Sequence, residues 1–266
     1  MRFTKMEGLG NDYIYVNCME GRPGDLPALA ARLSDRHFGV GADGLICIGP
    51  GRGGDFSMEM YNADGSRGAM CGNGIRCVGK YVYEKGLTRK TCLTIDTDAG
   101  PRGLELQVRR GAVEQVAVDM GPAEVAPPVE AEALGERYRV IPVRLGNPHG
   151  VIFCASPEEV PLDRVGPVLE GHPALGERSN IEFVSCPGRE ELVLRVWERG
   201  SGLTLACGTG ACAAFAAARR LGRCGPAVKA RLPGGALALE QRGGHIWMTG
   251  PAHRVFEGEV EEISPP

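Results

Sequence analysis

The chain has 266 residues, of which 43% are hydrophobic and 24% are charged, and its formal net charge at pH 7 is −3. This length favours two domains, since single domains usually hold about 100–150 residues. The balanced charge argues against nucleic-acid partners, and no apolar run approaches the roughly 20 residues that a membrane span needs. Because the N-terminus also lacks the apolar core of a signal peptide, the sequence predicts a cytoplasmic protein that binds neither nucleic acid nor membranes.

Short strands and tight turns are expected throughout, because the chain contains 40 glycines and 19 prolines. The first predicted helix covers 26–36, with Asp25 as its N-cap. A second helix follows Cys71, where apolar residues recur at helical spacing as far as Gly86, a candidate C-cap. The strands predicted for this half cover 13–16, 44–48, 55–61, 91–97, 104–108 and 113–119.

The second half of the chain repeats the first at an offset of 136 residues. Leu9-Gly10-Asn11 returns as Leu145-Gly146-Asn147, and Cys71-Gly72 returns as Cys207-Gly208. Self-similarity at a fixed offset indicates a duplicated domain. We therefore predict a first domain over 1–123, a linker over 124–136, a second domain over 137–252, and a tail strand within 253–266 that joins the sheet of the first domain.

The second copy is expected to follow the same scheme. Its Cys207 turn leads into an alanine-rich segment that ends at Gly222, and alanine has the highest helix propensity. Such a narrow helix is suited to the centre of a domain, with a sheet wrapped around it. The strands predicted for this half cover 228–232, 236–239, 246–248 and, in the tail, 255–260.

Two cysteines lie in the same local setting, in Cys71-Gly72-Asn73-Gly74 and Cys207-Gly208-Thr209-Gly210. In each motif a turn of small residues brings the sulfur to the start of a helix, where free backbone N–H groups and the helix dipole favour negative charge. This setting favours a thiolate. The six cysteines at 18, 47, 92, 154, 186 and 224 are scattered, and we expect them to be reduced, buried apolar residues.

A matched pair of thiols is suited to one reaction. Duplicated domains tend to meet about a pseudo-twofold axis, so the two cysteine turns are expected to face each other across a cleft. Inversion at a carbon with an acidic hydrogen needs a thiolate on one face and a thiol on the other. The N–H groups of Gly72, Asn73, Gly208 and Thr209 would hold the substrate carboxylate and stabilise the carbanion. No lysine context for pyridoxal phosphate and no metal cluster is recognisable, so no cofactor or metal is predicted.

Polar residues near the two motifs describe the ligand further. Asn62 and Glu198 each lie nine residues before their cysteine. Glu198 and Arg199 offer a carboxylate for an ammonium group and a guanidinium for a carboxylate, which are the groups that an amino acid requires. Four asparagines are predicted to converge on the same cleft and to bind a second, zwitterionic end of the ligand. They are Asn11, Asn62, Asn147 and Asn180.

Together these motifs resemble the diaminopimelate epimerase family over nearly the whole chain. The resemblance is carried by the segments from Gly8 to Asp12, Asn62 to Ser66, Met70 to Cys77, Gly146 to His149, Arg178 to Asn180, Trp197 to Gly200 and Ala206 to Gly210. It implies an isomerase that converts L,L- to meso-diaminopimelate without a cofactor, for lysine and peptidoglycan synthesis. It also implies an α/β (α+β) fold of two pseudo-symmetric domains, each a curled, mainly antiparallel, barrel-like sheet around a central helix, assembled as a homodimer.

The resemblance also implies roles for single residues. Cys207 would be the base and Cys71 the acid in the L,L to meso direction. His149 and Glu198 match residues placed near the thiols, where they would tune the thiol pKa. Gly44 stands where many members of the family carry a glutamine, so any contact made by that side chain must be absent or replaced.

Two alternatives stay open at the level of the sequence. Another two-cysteine amino-acid racemase, of the proline or hydroxyproline type, would share the Cys-Gly-x-Gly pattern, although Asn73 and the Glu198-Arg199 pair fit diaminopimelate better. A catalytically silent small-molecule binding protein of the same fold would have no need of two thiols. A hydrolase that pairs one cysteine with His149 would leave the second cysteine unexplained.

Overall fold

The structure, a computed structural model, describes residues 1–261. The strands are β1 (Arg2–Gly8), β2 (Asn11–Asn17), β3 (Gly44–Pro50), β4 (Phe56–Asn62), β5 (Arg67–Gly68), β6 (Cys92–Thr97), β7 (Gly100–Arg109), β8 (Ala112–Gly121), β9 (Glu124–Val125), β10 (Val129–Ala133), β11 (Glu136–Leu145), β12 (Asn147–Phe153), β13 (Asn180–Gly188), β14 (Glu191–Glu198), β15 (Gly202–Leu203), β16 (Ala227–Leu232), β17 (Gly235–Arg242), β18 (His245–Gly250) and β19 (His253–Glu259). The α-helices are α1 (Leu26–Ser34), α2 (Gly72–Glu84), α3 (Leu162–Glu170) and α4 (Gly208–Arg220), and short 3₁₀ turns cover Pro157–Glu159 and Pro173–Leu175. No helix within residues 1–261 is both long enough and apolar enough to cross a membrane.

Unit 1 contains Met1–Val118 and the C-terminal residues from Gly250 onward. Its strands pair in the order β19-β1-β2-β3-β4-β6-β7-β8. Only the pairs β2/β3 and β4/β6 are parallel, and each is connected through a helix, as parallel neighbours require. Helix α2 packs against β1, β2 and β7, and its Ile75, Val78 and Val82 are fully buried.

Unit 2, Asp119–Thr249, repeats this arrangement in the order β10-β11-β12-β13-β14-β16-β17-β18. Here β12/β13 and β14/β16 are the parallel pairs, and α4 packs against β11 to β14. The bounds of β12, α3 and α4 follow those of β2, α1 and α2 at the same offset of 136 residues. The predicted α/β fold of two duplicated domains, each with a sheet around a helix, is therefore confirmed.

Helix α1 ends two residues before the predicted end at position 36. Asp25 is its N-cap, as predicted, and the carboxylate accepts the Ala28 N–H at 3.2 Å. At the other end Asp35 leaves the helical conformation, with φ −57° and ψ 125°. Its carboxylate instead accepts the N–H groups of His37 and Phe38, both at 2.7 Å. The aspartate ends the helix because its side chain offers the backbone other hydrogen bonds.

The segment 124–136, predicted as a linker, forms strands β9 and β10 of unit 2 instead. Ala131 and Ala133 are buried, whereas Glu130 and Glu132 point outward and are exposed. Buried and exposed residues alternate here as in a half-buried strand. The sequence did not indicate this strand, because prolines precede it and its buried residues are small.

The tail of the chain forms β19, which pairs antiparallel with β1 in unit 1. The strand begins at His253 and ends at Glu259, close to the segment 255–260 predicted from the alternation. Strand β19 adds to β1 in unit 1 as β10 adds to β11 in unit 2. The final part of the predicted tail segment, 262–266, lies outside the described residues.

The remaining cysteines do not all have the buried environment that the sequence predicted. Cys18, Cys47 and Cys224 are buried, but Cys154 and Cys186 are only partly buried and Cys92 is exposed. Cys92 is the first residue of β6, where alternate positions face outward, so the strand period decides its exposure.

Candidate active site

Cys71 is the N-cap residue of α2, with the extended backbone angles φ −127° and ψ 118°. Its Sγ accepts the backbone N–H of Gly74 at 3.3 Å. A Cβ on Gly74 would lie 2.7 Å from Cδ1 of Ile46, so this turn needs a glycine there. The Cys71 sulfur therefore lies at the start of a helix, as predicted.

The Asn11 side chain accepts a hydrogen bond from the Cys71 thiol. Asn11 Nδ2 donates to Asp43 Oδ2 at 2.8 Å, and a carboxylate only accepts, so the orientation of this amide is fixed. The amide oxygen therefore faces the sulfur, and the Cys71 thiol donates to Asn11 Oδ1 at 3.2 Å. This contact favours the neutral thiol, the form that a proton donor requires.

The other residues predicted for this half of the site lie in unit 1 as follows. Gly72 and Asn73 are the first two residues of α2, at the positive end of the helix dipole. The Asn73 amide oxygen accepts from Arg76 at 2.9 Å, and Arg76, which is fully buried, also donates to the Pro251 carbonyl at 3.0 Å. Asn62 donates to Ser66 Oγ at 2.9 Å in the turn that follows β4.

Cys207 has the same geometry in unit 2. It is the N-cap residue of α4, with φ −113° and ψ 110°, and its Sγ accepts the Gly210 N–H at 3.4 Å. The hydroxyl of Thr209 lies 3.5 Å from the sulfur. Gly208 and Thr209 are the first two helical residues, so their N–H groups lack intrahelical acceptors.

The surroundings of Cys207 do not favour a thiolate, contrary to the prediction from the helix start. Burial raises the pKa of Cys207 well above its ordinary value, and the negative charges of Glu198 and Glu182 add to this effect. Hydrogen bonds from Thr209 and Gly210 lower the pKa but do not outweigh the burial. In a dry site next to carboxylates, the helix dipole is the weaker influence.

Glu198 shares this environment and contacts the Cys207 thiol. Burial raises the pKa of Glu198, whereas hydrogen bonds from Thr204 and Cys207 lower it. Burial thus opposes a negative charge on either group, whereas the hydrogen bond between them gives the thiol proton an acceptor at the Glu198 carboxylate.

Four further predicted residues form two contacts in unit 2. His149 Nε2 lies 3.0 Å from Asn147 Oδ1. Asn180 Oδ1 accepts the backbone N–H of Arg199 at 2.8 Å, and the Arg199 guanidinium donates to the Arg178 carbonyl at 3.3 Å. The backbone just after β14 thus orients Asn180, while the Arg199 side chain is exposed.

Two acidic residues of these half-sites were not predicted from the sequence. Asp43 orients the Asn11 amide, and Glu182 lies 2.7 Å from His149 Nδ1. Glu182 carried a signal, since it is a charged residue inside the apolar run Ile181 to Val184. Among residues 1–261, no three His, Cys, Asp or Glu side chains are grouped so as to hold a metal ion.

Gly44 cannot be replaced by a larger residue in this backbone. It pairs with Asn62 at the start of β3, and a Cβ would lie 2.1 Å from the Tyr61 carbonyl oxygen and 2.8 Å from Cε1 of Tyr13. The ring of Tyr13 thus fills the space next to this position. A glutamine here would collide with the neighbouring strand.

We expect Gly44→Ala to lower the free energy of unfolding by about 1–3 kcal/mol, because the methyl group meets backbone atoms that cannot move away alone. Urea denaturation measures this change. Gly21→Ala is the matched control, since no atom lies within 4 Å of a Cβ at that position. Equal stability of the two variants would contradict the close packing at Gly44.

Known proteins similar to this chain cover almost all of its length. The sequence profile described as diaminopimelate epimerase matches residues 3–126 and 142–255. A diaminopimelate epimerase from Acetivibrio thermocellus is 46% identical over 98% of this chain and 99% of its own. One from Phocaeicola vulgatus is 48% identical over 98% of this chain and 98% of its own.

Solved structures share the fold at much lower identity. The structure of a probable proline racemase from Agrobacterium radiobacter K84 has a TM-score of 0.76 at 17% identity and covers 98% of this chain and 92% of that chain. At this identity the similarity concerns the fold alone. The sequence profile and the close relatives decide the family, and the chain belongs to the diaminopimelate epimerase family.

Proposed function

We propose that this protein interconverts L,L- and meso-2,6-diaminopimelate by inverting one α-carbon with two thiols and no cofactor. The observation that carries the proposal is the matched pair of N-cap cysteines, Cys71 and Cys207, one in each copy of the duplicated fold. Relatives that are 46% and 48% identical bear the name of this enzyme, which favours diaminopimelate over proline as the substrate and favours turnover over silent binding. The product would serve lysine and peptidoglycan synthesis.

The first step is removal of the α-hydrogen. Cys207 acts as the base after its proton has passed to Glu198, which accepts a hydrogen bond from the thiol. The thiolate then takes the α-proton and leaves the electron pair on carbon. The N–H groups at the start of each helix, from Gly72, Asn73, Gly208 and Thr209, bind the α-carboxylate and stabilise the negative charge.

The second step is protonation on the opposite face. Cys71 is the donor, since Asn11 keeps its thiol protonated before the reaction. The Cys71 proton goes to the carbanion and leaves a thiolate, so one proton enters and one leaves in each turnover. In the reverse direction the two thiols exchange roles. Each cysteine must therefore be able to act both as a thiol and as a thiolate.

Recognition of the substrate follows from the polar residues of both half-sites. Arg199 binds a carboxylate of the substrate, and the negative charge that passes between Glu198 and Cys207 binds an α-ammonium group. The amides assigned to the remaining polar groups of diaminopimelate are those of Asn11, Asn62, Asn147 and Asn180. His149 is assigned to tuning the pKa of the thiols, as the resemblance implies, and its Nε2 lies 3.0 Å from Asn147 Oδ1.

The experiment for this function uses the purified protein, kept reduced and without added cofactor. Chiral chromatography should show meso-diaminopimelate forming from the L,L isomer, and no D-proline forming from L-proline. Racemisation of proline without action on diaminopimelate would support the racemase alternative. Binding of diaminopimelate without any turnover would support the silent binding protein.

We propose further that the protein is a cytoplasmic homodimer, as the resemblance implies. Light scattering of the reduced protein should give about twice the chain mass of 28.3 kDa. A mass of one chain at every concentration tested would contradict the assembly.

A further inference from the structure

Glu182, the third residue of β13, carries a fully buried carboxyl group. Its Oε1 lies 2.7 Å from Nδ1 of His149, and both side chains are 0% exposed. Its Oε2 has no hydrogen-bond partner among the described residues. A Cβ on Gly210 would lie 2.8 Å from Oε1, so the carboxyl group lies directly beneath the Cys207 turn.

This buried pair belongs to one copy of the duplication only. At the offset of 136 residues, Glu182 corresponds to Ile46 and His149 corresponds to Tyr13. Ile46 lies beneath the Cys71 turn as Glu182 lies beneath the Cys207 turn, since a Cβ on Gly74 would meet it at 2.7 Å. The first copy therefore shows that the fold needs no carboxyl group at this place.

The charge of the pair follows from its burial. A carboxylate next to a neutral imidazole would leave one net negative charge in a dry site, close to the acidic group of Glu198. One added proton removes this charge, whether it resides on Glu182 or on His149. Burial also raises the pKa of Glu182, which keeps that proton on the pair.

The added proton decides whether His149 Nε2 donates or accepts the hydrogen bond with Asn147. In both forms of the neutral pair Nδ1 is engaged with Glu182, and Nε2 carries a hydrogen. Nε2 must then donate a hydrogen bond. Its acceptor is Oδ1 of Asn147, which lies 3.0 Å away. The NH₂ group of Asn147 is left to donate elsewhere.

We propose that Glu182 and His149 share a proton as a net-neutral buried pair, and thereby orient the Asn147 amide so that its NH₂ group is presented to a carboxylate of the substrate. Asn11, the equivalent residue of the first copy, is held in another way, with Nδ2 on Asp43 and Oδ1 on Cys71. The duplicated asparagines therefore have different roles. Glu182 is a positioning residue, and the identity of the carboxylate rests on the proposed function.

Nuclear magnetic resonance of the resting protein tests the pair without any turnover. In ¹⁵N-labelled protein, the His149 ring, assigned by loss of its signals in His149→Gln, should show a protonated Nε2 across the pH range in which the fold is stable. His245 is the control in the same unit, because it contacts Asp119 at 2.9 Å but is 47% exposed. An unprotonated Nε2 on His149 would overturn the proposal, whatever reaction the protein catalyses.

Two substitutions at Glu182 test the consequence for the substrate. Glu182→Gln can donate its amide N–H to Nδ1 and leave Nε2 protonated, so KM should stay within about threefold of the original value. Glu182→Met removes the partner of Nδ1, and KM should rise about tenfold or more, with a smaller change in kcat. An unchanged KM in Glu182→Met would overturn the proposal. Equal loss in both variants would show that the carboxylate charge matters instead, and the ring signals decide the question if Glu182→Met does not fold.

Discussion

Replacing either Cys71 or Cys207 with alanine should lower kcat for epimerisation by about a thousandfold or more. Each thiol performs one of the two proton transfers. No other group in its half-site is held where it could perform the same transfer. The fold should persist, since the main structural loss is one N-cap hydrogen bond, to Gly74 or Gly210, worth about 1 kcal/mol. Chiral chromatography of the product and thermal melting of each variant measure the two effects.

The exposed Cys92 provides the control for these variants. Cys92→Ala should retain the original turnover and melting temperature, because the side chain lies outside both half-sites. Full turnover by Cys71→Ala or by Cys207→Ala would refute the assignment of one base and one acid.

Glu198→Gln should lower kcat at neutral pH by about a hundredfold. The glutamine cannot accept the Cys207 proton, so the thiolate must form by losing its proton to water. Burial keeps the pKa of Cys207 above its ordinary value even without the charge of Glu198. The thiolate fraction below that pKa grows about tenfold for each pH unit, so the variant should regain activity as the pH rises.

A pH series of kcat for both proteins checks this expectation. Glu240→Gln is the control, because this carboxylate of unit 2 is 41% exposed and lies in another part of the sheet. A Glu198→Gln variant whose activity is lowered equally at every pH would contradict the role of Glu198 as the proton acceptor for Cys207.

The duplication explains why so much of the fold could be predicted from the sequence. Turn glycines and cysteines recur at one fixed offset, and that offset also relates the bounds of α1 and α2 to those of α3 and α4. The segment 124–136 was misjudged because its small buried alanines and neighbouring prolines resemble a linker. Only the register with β11 shows it to be a strand.

The individual site contacts depend on pairings that the sequence does not display. Asp43 lies 32 residues from Asn11, and Glu182 lies 33 residues from His149, so each contact exists only after β2/β3 and β12/β13 have paired. The pKa of Cys207 likewise reflects burial, which a helix start alone does not reveal. Comparison of equivalent positions, such as Ile46 with Glu182, would have singled out the acidic residue.

The two half-sites differ in a way that suits one acid and one base. Cys71 donates to a fixed amide oxygen, whereas Cys207 lies beside a carboxyl group that can take its proton. Nothing in the duplicated backbone requires this difference. It arises from side chains that differ between the copies, with Asn62 in the first where Glu198 stands in the second.

The central claim is that two thiols invert the α-carbon by exchanging its hydrogen with a proton from solvent. Proton NMR of L,L-diaminopimelate with the reduced protein in D₂O, without added cofactor, tests it most directly. We predict that the α-hydrogen signal of the inverted carbon disappears and that the meso product carries deuterium there. Meso product that keeps its original hydrogen, or L,L substrate that stays unchanged, would contradict the claim.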